Sequence, residues 1–258
     1  MTAALRASAI SVALFCLSAG AVRAESITIP AGASTPAIPG ELARPAGPGP
    51  FPAVLVLHGC EGYGSLEAST INELAGEGYV GLAIDLLEPQ GLRSACGAGA
   101  GPVRNAFEYA IAALQWLGQQ PYVSSNRLGV IGYSMGAIAG LSLIDPLSGT
   151  LPSIPGLRAV VLYYPACSGR NANINTPLLI LDGSADDWIP PVPCQTLAHS
   201  AQALGKNVQI VTYPGATHAF NQPSSHTRIV NGHTLTYDPQ ATADADARMK
   251  AFFRQYLR

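Results

Sequence analysis

A serine hydroxyl set between glycines is the first group in this chain that points to chemistry. Gly132-Tyr133-Ser134-Met135-Gly136 follows the apolar run Arg127–Gly132 and precedes the helix-forming stretch 137–143. A chain that turns sharply from strand to helix needs flanking positions nearly free of side chain. Such a turn lifts the Ser134 hydroxyl to the rim of a sheet and leaves backbone N–H groups of a helix N-terminus beside it. A hydroxyl becomes a useful nucleophile only when a base takes its proton. His218, in Tyr213-Pro-Gly-Ala-Thr-His218-Ala-Phe220, is the candidate base, in a loop that follows an apolar run. The base in turn needs a carboxylate to fix its tautomer and to stabilise the imidazolium. Asp186, in Gly183-Ser-Ala-Asp186-Asp-Trp-Ile-Pro190, is the first choice. Asp187 stays open as its rival, because adjacent side chains point in different directions, while Asp182 stands too close to its strand end to reach across. Acyl transfer also needs donors for a developing oxyanion. The N–H of Met135, directly after the nucleophile, is one, and the N–H of Cys60, in His58-Gly-Cys60-Glu-Gly62, is the other. Of the remaining histidines, His58 ends a strand and braces loops, His199 lies on a helix surface, and His226 and His233 sit in a polar loop where either is a spare base.

These groups work only if a scaffold brings them to one edge. Six short apolar runs recur along the chain: 53–58, 79–85, 127–132, 158–163, 177–182 and 208–213. Their nearly continuous hydrophobicity is the mark of strands covered on both faces. Helical spacing appears between them over 65–75, 103–117, 193–204 and 243–257. Alternating strands and helices predict an α/β fold, a mostly parallel central sheet with helices on both faces. The functional crevice of such a sheet lies beyond the carboxyl ends of its strands, where Cys60, Ser134, Asp186 and His218 all fall. Residues 25–50 are rich in Pro, Gly and Ala. Their expected contribution is a short edge strand at Ser26–Pro30, with proline forbidding a central strand.

Composition narrows the class. Charged residues make up only 12% and hydrophobic ones 48%, which excludes a disordered polyampholyte and a long coiled coil. A net charge of −2 with no basic run gives no footprint for nucleic acid. Arg6, the apolar stretch 7–21 and the small residues around Ala24 describe a secretory signal peptide cut after Ala24. The stretch is shorter than the ~20 residues of a membrane span, and bulky Phe15 before Cys16 disfavours lipoprotein processing. The expected organisation is therefore a signal at 1–24 and one domain at 25–258, exported to the periplasm or beyond, with no membrane span afterwards. Four cysteines then remain in an oxidising compartment, which reads as two disulfides. Cys60 and Cys96 follow consecutive strands at one end of the sheet, as do Cys167 and Cys194, so the expected pairs are Cys60–Cys96 and Cys167–Cys194. Close ligand spacing such as Cys-x-x-Cys is absent, so no metal is expected.

The segments Leu57-His-Gly-Cys60, Gly132-Tyr-Ser-Met-Gly136, Gly183-Ser-Ala-Asp-Asp-Trp-Ile-Pro190 and Tyr213-Pro-Gly-Ala-Thr-His-Ala-Phe220 together resemble the dienelactone hydrolase family of the α/β-hydrolase superfamily. The resemblance covers roughly residues 50–257. It implies the α/β-hydrolase fold, and it puts the family's acid at Asp186 and its histidine at His218. Two positions depart from the family pattern. Dienelactone hydrolases proper carry a cysteine where Ser134 stands, and a glutamate in the oxyanion loop where Gly59 stands. Both departures point away from dienelactone itself and toward the broader esterase-like members, which are often exported.

The reading is an exported serine hydrolase that cleaves carboxylic esters through an acyl-enzyme on Ser134, with a small-molecule ester as partner and no cofactor. Trp188 and Tyr133 are the expected walls of the substrate pocket, with Tyr63 and Leu87 as further candidates and the loops 86–102 and 221–238 setting its depth. A non-catalytic binding protein on the same fold is one alternative, and acyl hydrolysis of amides or polyesters is another. Oligomeric state leaves no trace in the sequence.

Overall fold

In the computed structural model, residues 24–97, 101–146, 154–224 and 226–258 are described. The expected signal segment lies outside them except for Ala24. Eight strands form one sheet: β1 (Glu25–Ile29), β2 (Ile38–Ala43), β3 (Phe51–Leu57), β4 (Val80–Ile84), β5 (Val123–Tyr133), β6 (Leu157–Tyr163), β7 (Leu178–Gly183) and β8 (Val208–Tyr213). Their spatial order is β1-β2-β4-β3-β5-β6-β7-β8. Strands β3 to β8 run parallel, and β1 and β2 are antiparallel additions at one edge. The helices are α1 (Ser65–Gly76), α2 (Gly101–Gly118), α3 (Met135–Ser142), α4 (Val192–Ala203) and α5 (Pro239–Leu257). No helix among the described residues is long and apolar enough to cross a membrane.

The continuous apolar runs have a simple cause. Alternate residues of a strand point to opposite faces, and both faces here are covered. Leu55 and Leu57 of β3, with Val130 and Leu162, pack under α2, α3 and α4 through Ala110, Leu114, Ala137 and Leu197. Val54 and Val56, with Ile131 and Val161, pack under α1 and α5 through Ile71, Leu74, Met249 and Phe252. Helix α5 starts where its sequence says it should. Asp238 accepts hydrogen bonds from the N–H groups of Gln240 (3.0 Å) and Ala241 (2.9 Å), and Pro239 fills the first turn. A cap of this kind contributes about 1 kcal/mol.

Two expectations need correction. Proline does not keep residues 25–50 at the edge: β2 lies inside the sheet, between β1 and β4. Pro39 is tolerated because its pairing with β4 is not required. The β2–β4 register begins at Gly40, while the Pro39 carbonyl accepts from Asp85 N–H at 2.8 Å. Gly40 is there for close approach, since a Cβ would stand 2.4 Å from the Ala83 carbonyl oxygen. The segment 221–238 is also not wholly loop. It folds into a short hairpin, β9 (Arg228–Val230) and β10 (His233–Leu235), over the carboxyl end of the main sheet.

Candidate active site

Ser134 stands at the β5–α3 junction with φ 49° and ψ −110°, a strained backbone for a residue with a side chain. The flanking glycines make the turn possible. A Cβ on Gly136 would lie 2.3 Å from the Leu57 carbonyl oxygen, and one on Gly132 would lie 2.6 Å from the Gly136 carbonyl oxygen. Both obstacles are backbone, so neither can step aside.

The loops after β7 and β8 are joined before any catalytic group is considered. Ser184 N–H donates to Tyr213 O (2.9 Å), Ala185 N–H to Ala216 O (2.9 Å), and Gly215 N–H to Ser184 Oγ (2.8 Å). Gly183 permits this seam, because a Cβ there would be 2.2 Å from the Ala216 oxygen. Across it, His218 Nδ1 lies 2.7 Å from Asp186 Oδ2, and His218 Nε2 lies 3.0 Å from Ser134 Oγ. A carboxylate only accepts, so Nδ1 carries the proton and Nε2 is left to accept from the serine hydroxyl. Each oxygen of Asp186 has its own task. Oδ1 accepts from Trp188 N–H (2.9 Å) and Ile189 N–H (2.8 Å) in a tight turn, which aims Oδ2 at the imidazole. Asp186 and His218 are both buried.

Asp187, the rival acid, points elsewhere. It accepts from Thr234 N–H of the hairpin and faces His233 Nδ1 at 3.5 Å. Asp182 is buried at the end of β7, and its Oδ2 has no hydrogen-bond partner among the described residues. Burial, reinforced by the nearby Asp186 charge, pushes its carboxyl well above the usual range. Of the other histidines, His199 is exposed on α4 and His226 is exposed just before β9.

The N–H groups of Cys60 and Met135 donate to no backbone or side-chain group among the described residues. The peptide that carries the Cys60 N–H is held from its other side. His58, fully buried, donates from Nδ1 to the Gly59 carbonyl at 2.6 Å and accepts the Leu86 N–H at Nε2, 2.8 Å away. Those two partners place a proton on Nδ1. The C=O and N–H of one trans peptide point in opposite directions, so gripping the Gly59 oxygen aims the Cys60 N–H the other way. Cys60 is bonded to Cys96, and its carbonyl accepts from Ala95 N–H at 2.8 Å. Cys167 is bonded to Cys194.

A narrow cavity of about 20 Å³ opens over Ser134 between these loops. Trp188 and Tyr133 line it, as do Tyr164, Ala219, Gln222 and Leu235. Tyr63 belongs to a neighbouring groove, and Leu87 is core. The His218 ring is packed against Tyr164 (centroids 4.6 Å apart) and Trp188 (5.1 Å), and Trp188 stacks on His233 at 4.9 Å. His233, a spare base in the sequence reading, faces Asp187 and Trp188 instead; Tyr164, Gln222 and Leu235 were not singled out from sequence. Only Tyr164 carried a usable signal, since it directly follows a strand. No cluster of residues suited to a metal ion occurs among the described residues.

A model of the dienelactone hydrolase family matches residues 38–257. A protein from Bradyrhizobium sp described as a probable 2-oxo-3-(5-oxofuran-2-ylidene)propanoate lactonase is 26% identical over 201 residues, covering 70% of this chain and 78% of that one. Among solved structures, a dienelactone hydrolase-like promiscuous phosphotriesterase from metagenomic libraries superposes with a TM-score of 0.75 at 23% identity, covering 92% of this chain and all of the other. The propionate-bound esterase 2 of Thermogutta terrifontis superposes with a TM-score of 0.65 at 17% identity, covering 90% of this chain and 94% of the other. At these identities the two structural likenesses speak for the fold.

Proposed function

Because the chain belongs to the dienelactone hydrolase family, and is thus a hydrolase acting on esters, we propose that it is an exported serine hydrolase working through an acyl-enzyme on Ser134. The carrying observation is the continuous hydrogen-bonded line from Ser134 Oγ through His218 to Asp186, at 3.0 and 2.7 Å. His218 Nε2 takes the hydroxyl proton as Oγ attacks the ester carbonyl. The tetrahedral oxyanion is met by the N–H groups of Cys60 and Met135, and Asp186 holds the imidazolium. His218 then returns the proton to the leaving alcohol as the C–O bond breaks. Water, deprotonated by the same imidazole, attacks the acyl-serine and releases the acid. Every proton and electron pair is accounted for within these residues and water.

The two disulfides suit an oxidising compartment, and they support export together with the signal-like residues 1–24. On that reading the mature enzyme is the single unit from residue 25 onward. Ser134→Ala tests the mechanism. It should abolish the p-nitrophenol burst from p-nitrophenyl acetate and lower kcat by roughly 10⁴–10⁶-fold. Wild-type turnover in that variant overturns the proposal. Fluorophosphonate labelling of Ser134 separates the enzyme from a non-catalytic binding protein, in which the serine would not react.

A further inference from the structure

The cavity over Ser134 and the groove beside it differ in size and in lining, and the difference bears on the substrate. With room for only about 20 Å³ of solvent-sized occupant, the cavity falls far below the ~300–1,000 Å³ of ordinary small-ligand pockets. Its walls are fixed in place. Tyr133 OH is hydrogen-bonded to Thr70 Oγ1 (3.1 Å), Tyr164 OH donates to Asn221 Oδ1 (2.8 Å), and Trp188 lies between the rings of His218 and His233. A long acyl chain would have to displace one of them.

The groove is larger, about 320 Å³, and its lining is polar. It meets the cavity at Glu61 and Gln222, which line both. Glu61 follows the oxyanion residue Cys60, and Gln222 lies on the loop that carries His218, so the alcohol released beside His218 Nε2 leaves by this route. Its cation is already matched. Arg228 is forked onto Glu61 at 2.8 and 3.2 Å. Buried Glu67 accepts the Gly64 N–H at 2.9 Å, and burial lifts its carboxyl above the usual range. Gln222 gives its Oε1 to Arg228 Nη2 at 2.6 Å, which leaves its Nε2 without a partner among the described residues. Ser65 adds an exposed hydroxyl. Such a surface offers hydrogen bonds to neutral groups, and its one cation, Arg228, is already paired.

We propose that the ester joins a small acyl group, of about acetyl size, to a neutral polyhydroxylated alcohol such as a sugar, whose hydroxyls lie along this groove against Gln222 and Ser65. The inference rests on the serine hydrolase reading above. The test compares two pairs of substrates with the purified enzyme. 6-O-acetylglucose and hexyl acetate share the acyl group and differ in the hydroxyls of the alcohol. p-Nitrophenyl acetate and p-nitrophenyl octanoate share the alcohol and differ in acyl length. Expected are a kcat/KM about tenfold or more higher for 6-O-acetylglucose than for hexyl acetate, and a drop of about tenfold or more from acetate to octanoate. Gln222→Leu and Ser65→Leu should each narrow the sugar preference by about threefold or more. Equal or better turnover of hexyl acetate, or of the octanoate, overturns the proposal. The wild-type substrate pairs decide the matter even if a variant misfolds. A burst with p-nitrophenyl acetate but no sugar preference sinks the groove assignment alone. Wild-type turnover of p-nitrophenyl acetate by Ser134→Ala sinks the serine hydrolase reading beneath it.

Discussion

Removing the Cys60–Cys96 bridge by Cys60→Ala with Cys96→Ala separates a disulfide's contribution to stability from its contribution to catalysis. The bridge closes a loop of sequence separation 36, and the Cys167–Cys194 bridge closes one of 27. Chain entropy gives about 4 kcal/mol for the first and about 3.5 kcal/mol for the second, so the two double-alanine variants should be almost equally destabilised. Their activities should differ. Cys60 carries one of the two oxyanion donors on the reading above, and losing such a donor altogether costs about 10²–10³ in kcat. The loss here is partial, because Ala95 N–H still holds the Cys60 carbonyl and His58 still holds that of Gly59. A kcat about tenfold lower with little change in KM is the expected result. The second variant should keep more than about half of wild-type kcat, since Asp186 is aimed by its own turn and by the seam to Ala216. The assay is steady-state and burst kinetics on p-nitrophenyl acetate at 25 °C, where both variants should stay folded, alongside urea denaturation. Equal kcat losses in the two variants, or none in the first, would refute a preorganising role for the bridge at Cys60.

Three further outcomes follow from the same geometry. Asp186→Asn should lower kcat by about 10⁴-fold by disturbing the tautomer of His218, whereas Asp187→Asn should change it less than about threefold, a contrast read by kcat/KM on one activated ester. His58→Ala leaves Leu86 N–H without its partner and Gly59 O with only the longer bond from Gly62 N–H, so it should cost about 2–4 kcal/mol in urea unfolding and lower kcat more than it raises KM; an unchanged kcat in the folded variant would contradict the peptide-plane argument. Asp182→Asn should stabilise the protein in a pH-dependent way: a carboxyl raised in the folded state binds its proton more tightly there than when unfolded, so wild-type stability falls as pH rises above about 4, and the variant's advantage in Tm should grow from pH 4 to pH 8.

Much of this architecture was legible because burial on both faces writes a continuous apolar run. The strands β3 to β8 stand within a few residues of the runs read from sequence, and so do the helices between them. The misses share a physical cause. Strand β2 reads Ile-Pro-Gly-Glu-Leu-Ala, in which proline and glycine signal a turn, and only the tertiary approach of Ala83 explains why glycine is required there. The hairpin of β9 and β10 has three residues per strand, too few for a period to emerge, and it is fixed by distant partners: Glu61, Trp188, Asp187 and Thr217.

The same distinction runs through the site. Ser134, Asp186 and His218 were findable because each chemical group must follow a strand, and a strand end is a local signal. The choice between Asp186 and Asp187 was not local. It depends on which carboxylate folds back to cap the N–H groups of Trp188 and Ile189 while the seam between the β7 and β8 loops carries His218 to its other oxygen. Substrate preference is less local still. On the reading proposed above, its determinants are residues without a motif: Tyr164 after β6 and Gln222 and Leu235 of the 221–238 segment around Ser134, with Arg228 in the groove beside it. Exchanging that segment should alter the alcohol accepted while leaving the Ser134–His218–Asp186 line intact.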